Sequence, residues 1–350
     1  MHLGGWLEDR LRWRAADAFL RHKAVPIVRH GYVYYFGGIT LFLFVVQVVT
    51  GLLLLMYYKP TAEAAHDSIR FITSKVQFGW LVRSVHSWAA NLMVFWVFAH
   101  MFGAFFVGAY RRPREVTWIS GTLLLFITMT FGFTGYLLPW NTLAYFATKV
   151  GTEIVGAVPL VGHGLLVLLR GGEDVTEATL NRFFGIHVAI LPLLTTMLLG
   201  FHLFLVQLHG MSRPESRGPA RSVAFVPNFV LREALIWVIG LGVLATLAVL
   251  LPWPVGERAD PLAPAPAGIR PEWYFVFMFQ TLKLIPPHVL GIEGERLGIL
   301  AFMLAALVLL AVPLLEHDDR KTRARRIALA LGIFAVLYMA GMTIVGYLVP

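Results

Sequence analysis

The sequence predicts an all-α integral membrane protein with seven transmembrane helices, and three observations support this fold class. Of the 350 residues, 58% are hydrophobic and only 14% are charged, whereas soluble domains carry about 25% charged residues. The mean hydropathy is +0.71. Seven separate stretches are apolar and long enough to cross a bilayer, which takes about 20 residues. This composition excludes a soluble enzyme, a disordered protein and a fibrous protein.

We name the seven stretches spans A to G. They lie near 34–58, 84–108, 116–138, 183–207, 233–252, 297–315 and 327–348. Ahead of span A, residues 5–13 combine tryptophans with charges, which predicts a short amphipathic helix on the membrane surface, with a solvated arm as the alternative. Residues 1–30 lack the apolar core of a cleavable signal peptide.

The basic residues predict the orientation of the spans. With the N-terminus on the cytoplasmic side, 18 of the 29 Lys and Arg residues fall on inner segments. The two dense basic runs, 111–114 and 320–326, are among them. Because this distribution follows the positive-inside rule, the net charge of +9 indicates membrane topology rather than a nucleic-acid partner.

Two kinds of connection organise the chain. The polar inner connection at 208–232 predicts a boundary between a four-helix domain at 1–210 and a three-helix domain at 211–350. A proline-rich stretch at 252–271 is the alternative boundary. The two long connections at 139–182 and 253–296 both lie on the outer face, and connections of this length are usually functional.

Four of the twelve histidines lie inside apolar spans: His86 and His100 on span B, His187 and His202 on span D. A histidine in a span is costly and indicates a function. Intervals of 14 and 15 residues separate each pair by about 21–22 Å along its helix, about 40° short of whole turns on span B and about 60° beyond them on span D. Each helix therefore presents both rings to one side. Since the two spans run in the same direction, the rings face each other at two depths.

Imidazole is a good ligand for iron, so the two facing pairs predict two six-coordinate haems that carry electrons. Hydrogen bonding to neighbouring backbone would account for one histidine, but four costly burials need a shared reason. Zinc needs four ligands at one depth. The absence of cysteine excludes disulfides, thiolate metal sites and covalent haem attachment through Cys-x-x-Cys-His.

Glycines repeat at the same interval of 14 residues on two other spans. A missing side chain beside each haem lets a flat macrocycle approach the backbone, although close helix packing is the alternative. The glycines are Gly37 and Gly51 on span A, and Gly121 and Gly135 on span C.

An acidic motif follows the proline-rich stretch of the second outer connection. In Pro271-Glu272-Trp273-Tyr274, a carboxyl group held against aromatic rings has a raised pKa, as a proton acceptor requires. A solvated loop acid is the alternative. The segment Tyr136-Leu137-Leu138-Pro139-Trp140 ends span C on the same face and is a candidate wall of the same cavity.

These motifs, with the run Gly79-Trp80-Leu81-Val82-Arg83-Ser84-Val85-His86, resemble cytochrome b of the cytochrome bc complexes over nearly the whole chain. The sequence is most similar to the short form, cytochrome b6 with subunit IV, here fused in one chain. Seven spans and the 15-residue interval on span D favour that form over the longer mitochondrial type.

The resemblance implies a subunit of a quinol:cytochrome c, or plastocyanin-type, oxidoreductase in an energy-transducing membrane of the bacterial inner-membrane type. Quinol would be oxidised at the outer face. One electron would leave to a Rieske iron–sulfur protein, and the other would pass through two non-covalent b-type haems to an inner quinone site, contributing to proton translocation. A c-type cytochrome subunit, a homodimeric complex and membrane lipid are the other implied partners.

Residue roles also follow from the resemblance. Glu272 would accept a proton from quinol, and Tyr136 and Tyr274 would line that site. Arg83 would pair with a haem propionate, and Arg114 is a candidate for the inner haem. Interfacial anchoring is the alternative for both arginines.

Three positions depart from the family's pattern. Tyr35 stands where the b6 type has a cysteine that holds an extra haem, so no covalent haem is predicted. Ser87 replaces the basic residue usual just after the outer haem histidine. Gln207 replaces a basic residue usual after span D, so we expect a differently built inner quinone pocket.

Two other functions remain open from the sequence. One is a di-haem membrane anchor of a quinone-linked dehydrogenase or hydrogenase, against which the Pro-Glu-Trp-Tyr motif argues. The other is a transporter in which intramembrane histidines relay protons.

Overall fold

The computed structural model describes residues 8–10, 12, 18, 23–26, 31–212, 221–315 and 322–349. Within these residues, seven helices are long and apolar enough to cross a membrane, which confirms the predicted fold class. The predicted amphipathic helix at 5–13 lies outside the described residues except for 8–10. The observed spans, A to G in order, are Gly31–Leu55, Gly79–Val107, Glu115–Leu137, Glu177–His209, Phe225–Leu250, Gly294–Leu315 and Arg323–Leu348.

Spans A to D pack in sequence, A against B, B against C and C against D. Span E lies against spans A and B, span F against span C, and span G against span B. The contact between A, B and E is a buried apolar cluster that includes Leu43, Ala89 and Leu244. Close packing of these side chains holds span E against the N-terminal bundle.

The two ends of the bundle differ. One end, called the loop end, carries the A–B, C–D and E–F connections; the other, called the arm end, carries the N-terminal arm and the B–C, D–E and F–G connections. Four short helices lie at the loop end: α1 (Ala65–Lys75), α2 (Thr142–Gly156), α3 (Gly162–Arg170) and α4 (Trp273–Leu284). At the arm end, β1 (Ala24–Pro26) pairs antiparallel with β2 (Ser222–Ala224). At the loop end, a hairpin of β3 (His288–Val289) and β4 (Ile292–Glu293) follows α4 in the E–F connection.

The C–D connection is folded into α2 and α3, although its length alone suggested a loop. Asn141 caps α2, its side-chain oxygen accepting from the Ala144 N–H at 2.9 Å. Arg170, at the end of α3, is only 3% exposed and donates to Thr152 Oγ1 at 2.7 Å and to the Lys149 carbonyl at 2.8 Å. Because a buried guanidinium needs several acceptors, this network locks the two helices together.

Polar contacts join the three connections of the loop end. Asn141 donates to the Val255 carbonyl at 2.9 Å, which links the C–D and E–F connections. Arg258 donates to the Glu63 carbonyl at 2.9 Å and lies 3.7 Å from Asp67, which links the E–F and A–B connections. The backbone of the E–F connection is thereby held in place up to the segment that carries Glu272.

Span D contains one irregular turn, and it corrects the expected helical phase. Over Ile186–Ile190 the helix makes a π-type turn, in which the Leu191 N–H bonds to the Ile186 carbonyl five residues back. Such a turn takes up one additional residue. The interval of 15 residues from His187 to His202 therefore advances span D by about as much as 14 residues advance a regular α-helix. The overshoot of 60° expected from a regular helix does not occur, and spans B and D share one phase.

Candidate functional site

Two pairs of histidine rings face each other between spans B and D. The ring centres of His86 and His187 are 6.5 Å apart with the planes inclined at 70°. Those of His100 and His202 are also 6.5 Å apart, at 81°. The first pair lies toward the loop end and the second toward the arm end. The structure therefore brings together all four histidines singled out in the sequence, in the predicted pairs.

This spacing fits a metal ion shared by each pair. An imidazole nitrogen binds a metal at about 2.0–2.1 Å and lies roughly 1.2 Å from its ring centre, so two rings on opposite sides of one metal have centres about 6.4 Å apart. Among the described residues, no group of three or more His, Cys, Asp or Glu could hold a metal ion. Two axial protein ligands suit an iron whose other ligands are porphyrin nitrogens.

Hydroxyl groups fix the orientation of three of the rings. Their oxygens lie near the Nδ1 atoms: Thr50 at 2.8 Å from His86, Thr134 at 3.2 Å from His187 and Ser120 at 3.0 Å from His202. Each hydroxyl also donates its own hydrogen to a backbone carbonyl of its helix, at 2.7, 2.8 and 2.9 Å. The hydroxyl oxygen therefore accepts from an Nδ1–H, which leaves the Nε2 lone pair of the ring free for a metal.

The paired glycines lie directly beside these rings. A Cβ built on each glycine would approach the Cε1 atom of one ring: Gly51 and His86 at 3.4 Å, Gly135 and His187 at 2.5 Å, Gly37 and His100 at 3.1 Å, Gly121 and His202 at 3.1 Å. Span A thus backs the rings of span B, and span C backs those of span D. A Cβ at Gly135 would force the His187 ring to shift, and one at Gly37 or Gly121 would crowd the adjacent ring.

The two arginines of the sequence analysis bind backbone carbonyls in this structure. The Arg83 guanidinium donates to the carbonyls of Trp253 and Pro254, and its Nε has no hydrogen-bond partner within the described part of the chain. Arg114 donates to the His209 carbonyl at 3.0 Å, and burial lowers its pKa. Arg83 therefore joins the start of span B to the E–F connection, and Arg114 joins the B–C connection to the end of span D.

Two of the three departures from the family pattern, Tyr35 and Gln207, lie at the arm end. The Tyr35 ring stacks on Phe229, with centres 4.9 Å apart and planes at 14°. Gln207 accepts a hydrogen bond from the Lys23 ammonium, which also lies 4.9 Å from the centre of the Phe225 ring. A basic group thus reaches the end of span D from the N-terminal arm rather than from span D itself.

A cavity of about 300 Å³ opens at the loop end. Its lining comes from the end of span C, the start of α2, the segment before α4 and the end of span G: Tyr136, Leu143, Ala267, Gly268, Ile269, Arg270, Pro271, Glu272, Trp273 and Tyr347. Burial raises the pKa of Glu272 to about 6. Glu272 and Tyr136 therefore share a cavity, as the motifs predicted.

Tyr274 takes a different position from the one that the motif suggested. Its ring is 5% exposed, it is not part of the cavity lining, and its hydroxyl lies against Gly132 of span C. Burial, followed by the charge of Glu272, raises the pKa of Tyr274 well above its usual value. The neighbouring Trp273 donates to Asn91 Oδ1 of span B at 2.9 Å. These contacts fix α4, and with it Glu272, against spans B and C.

Sequence reasoning missed three residues. Arg270 and Tyr347 line the cavity, but they are 77 residues apart and no local pattern joins them. Glu233 was placed at the edge of span E, whereas the span begins at Phe225 and includes it. Its carboxyl oxygens are buried without a hydrogen-bond partner among the described residues and lie so close to Gly38 of span A that a Cβ has no room there. An acid in an apolar stretch was the available signal.

Comparisons with known proteins agree with this architecture. Residues 23–210 match the family described as cytochrome b/b6/petB, and residues 258–350 match the family described as cytochrome b (C-terminal)/b6/petD. The chain is 44% identical to the cytochrome bc complex cytochrome b subunit of Chlorobaculum thiosulfatiphilum, over 96% of this chain and 79% of that protein. It is also 44% identical to cytochrome b6 of Heliobacterium mobile, over 60% of this chain and 99% of that protein. A chain of a hyperthermophilic respiratory Complex III has a TM-score of 0.88 and 32% identity, covering 99% of this chain and 91% of that one.

A membrane bundle with facing histidine pairs, glycines beside the rings and these relatives defines a b-type cytochrome. The chain belongs to the cytochrome b/b6 family and has the b6 part and the subunit IV part fused. It is a multi-pass membrane protein and the cytochrome b subunit of a bc-type complex, a redox enzyme complex of electron transport. Membership of the family implies that it binds b-type haem.

The substitution Gly135→Ala should lower the haem content of the protein, because the added methyl would stand 2.5 Å from His187 Cε1. Disturbing the support of a ligand typically weakens metal binding on the order of 10–100-fold. The measurement is haem per polypeptide in purified complex. Gly200→Ala on span D is the matched control, since nothing lies within 4 Å of its Cβ position. Equal haem content in the two variants would contradict this role of Gly135.

Proposed function

We propose that this chain is the quinone-reactive subunit of a quinol:cytochrome c, or plastocyanin-type, oxidoreductase. It oxidises quinol at the loop end and passes electrons through two b haems to a quinone site at the arm end, contributing to proton translocation. The observation that supports this most directly is a buried carboxyl group in a cavity at the end nearer His86 and His187. A second histidine pair lies toward the opposite end.

Each histidine pair is proposed to hold one non-covalent haem. When bound, haem supplies one-electron transfer, and ligation by two imidazoles leaves no open position on the iron. The chain supplies the ligands, the glycines that let the rings and a flat macrocycle lie close to spans A and C, and the hydroxyls that fix three rings. We propose that Arg83, whose Nε has no hydrogen-bond partner among the described residues, binds a propionate of the haem near the loop end. Arg114 is the candidate for binding the other haem.

At the loop end, Glu272 is proposed to accept a proton from quinol. Its pKa of about 6 means that the carboxylate, the form that can accept a proton, predominates at neutral pH. Because this pKa is close to neutral pH, the carboxylate can also gain a proton during turnover at little cost in free energy. Tyr136 borders the cavity beside Glu272, where its phenol is positioned to orient a quinol hydroxyl. Tyr274 packs α4 against span C and is proposed to act by positioning Glu272.

At the arm end, Glu233 is proposed to deliver protons to quinone. Its carboxyl group packs on Gly38 of span A, and the adjacent Gly37 lies against the His100 ring. A buried acid is costly to keep in an apolar span and indicates a proton-carrying function. Quinone reduction consumes protons, and this demand would explain why an acid, Glu233, lies within the span.

The wider setting follows from the same proposal. The proposed orientation has the arm end and the N-terminus on the cytoplasmic side of a bacterial-type inner membrane, and the excess of basic residues at the arm end supports it. The proposed partners are a Rieske iron–sulfur protein that receives one electron, a c-type cytochrome subunit and a second copy of the complex, with the domain boundary at 210/211. If the chain were instead a di-haem anchor of a quinone-linked dehydrogenase or hydrogenase, it would co-purify with that enzyme and without a Rieske protein.

Purified protein should contain two low-spin b haems per chain and none bound covalently. The four facing rings and the absence of cysteine are the reasons. Extracted haem is quantified against protein, and the denatured chain is stained for haem on a gel. His86→Ala should remove the spectral component of one haem and leave the other. A ratio near one, or a stained band at 39.1 kDa, would contradict the assignment.

The substitution Glu272→Gln should slow quinol oxidation while both haems remain bound. It keeps the size of the side chain but removes the proton-accepting form, and such groups contribute typically about 100- to 10,000-fold. In the unmodified complex the rate should fall as the pH drops through about 6, and the variant should lack this decline. The assay is quinol-driven haem reduction with the inner site inhibited. Glu257→Gln, an exposed acid of the same connection, is the control. If Glu272→Gln reproduces the control, the carboxyl has no part in the reaction.

The substitution Glu233→Gln should slow reoxidation of the inner haem by added quinone, by about 100-fold or more for a lost proton donor. The initial rate of quinol oxidation at the loop end should not change. Glu115→Gln at the arm end, where the acid lies 3.6 Å from Arg112, is the matched control. Both rates are followed optically in the same preparation. An unchanged reoxidation rate would show that protons reach quinone by another route.

A further inference from the structure

The end of span G completes the wall of the cavity that contains Glu272. Tyr347 lies in the last turn of the span, lines the cavity and is 51% exposed. It therefore stands between the cavity and its surroundings. The sequence analysis gave span G no part in the site.

Close packing sets the position of Tyr347. The preceding residue, Gly346, lies so near Val276 of α4 that a Cβ has no room. Two turns earlier on span G, the Tyr338 hydroxyl lies 2.5 Å from Thr281 Oγ1 of α4. Span G is thus packed along α4, the helix that begins directly after Glu272.

Arg270 binds this last turn by two contacts. Its Nη1 donates to the Tyr347 carbonyl at 3.4 Å, and its guanidinium carbon lies 5.5 Å from the centre of the Tyr347 ring. A cation over an aromatic face at this distance is attracted by the ring. The guanidinium of Arg270 therefore contacts span G, although Arg270 is only two residues from Glu272.

We propose that Arg270 and Tyr347 form a clamp that closes the quinol cavity on its open side, with the Tyr347 ring contacting the quinol head group. The clamp has a second effect, because it holds the guanidinium away from the carboxyl of Glu272. This inference rests on the proposed function and assigns two further residues to the same site.

The surroundings of Glu272 agree with this second effect. The titratable and charged groups near its carboxyl are Tyr136 of span C, Tyr274 of α4, Tyr347 of span G and Arg270 of the same connection. Burial raises the pKa of Glu272, and the guanidinium of Arg270 makes its contacts with Tyr347. An arginine paired directly with a carboxylate typically lowers its pKa by about 1–3 units. A guanidinium freed from the ring would therefore make Glu272 a poorer proton acceptor.

The test compares Tyr347→Ala, Tyr347→Phe and Arg270→Met in the intact complex, with short-chain menaquinol and short-chain ubiquinol as parallel substrates. Tyr347→Ala should raise KM about three- to tenfold, the scale of one lost aromatic contact. It should also move the acid limb of the pH profile down by about one unit, the shift expected when the freed Arg270 pairs with Glu272. Tyr347→Phe keeps the ring, so its KM should rise less than that of Tyr347→Ala and its acid limb should not move. Arg270→Met should raise KM without the shift, because no cation remains to pair.

The control is Tyr57→Ala, which removes another loop-end tyrosine that is 44% exposed and absent from the cavity lining. The clamp is overturned if Tyr347→Ala changes neither KM nor the acid limb, or if Tyr347→Phe behaves like Tyr347→Ala. Failure of the proposed function looks different: quinol oxidation is then absent from the unmodified complex or insensitive to Glu272→Gln. In that case the clamp, as a part of a quinol site, is overturned with it.

Discussion

The arrangement of this bundle depends on holding two imidazole rings with their centres 6.5 Å apart at two depths within apolar surroundings. Spans B and D must have the same helical phase over both depths, and the π-type turn at Ile186–Ile190 provides it. Spans A and C must leave room for the rings, which they do with glycines. The π-type turn and the glycines are unfavourable or neutral for an isolated helix. Their common effect is to hold the facing rings in place.

The loop end differs from the interior of the bundle, because it holds a buried acid, Glu272, at a cavity. Four segments remote in sequence meet there, and cross-links such as Asn141 to the Val255 carbonyl keep their backbones in place. Burial raises the pKa of Glu272, while the nearby Arg270 is bound to span G. The folded C–D connection, with Arg170 at its centre, makes this end a rigid platform.

The sequence was informative where a periodic or local signal exists. Apolar length predicted the seven spans, and matched intervals predicted which histidines face each other. The π-type turn could not be predicted, because it is a change in hydrogen-bond register that leaves no mark in residue types. The helices α2 and α3 were missed because amphipathic segments at a membrane surface resemble loops in composition. The contribution of Tyr347 depends on how span G packs on α4, and Glu233 was overlooked because Arg232 beside it made the start of span E look polar.

The hydroxyl contacts of the histidines have a consequence for how charge crosses the membrane. A ring whose Nδ1 hydrogen is held by Thr50, Thr134 or Ser120, and whose other nitrogen is directed at a metal, has no free position at which to gain or lose a proton. Under the proposed function, electrons would pass between the two histidine pairs without proton transfer along the same path. Under the same proposal, proton transfer would then take place at the two ends of the bundle, where Glu272 and Glu233 lie, and not at these three rings.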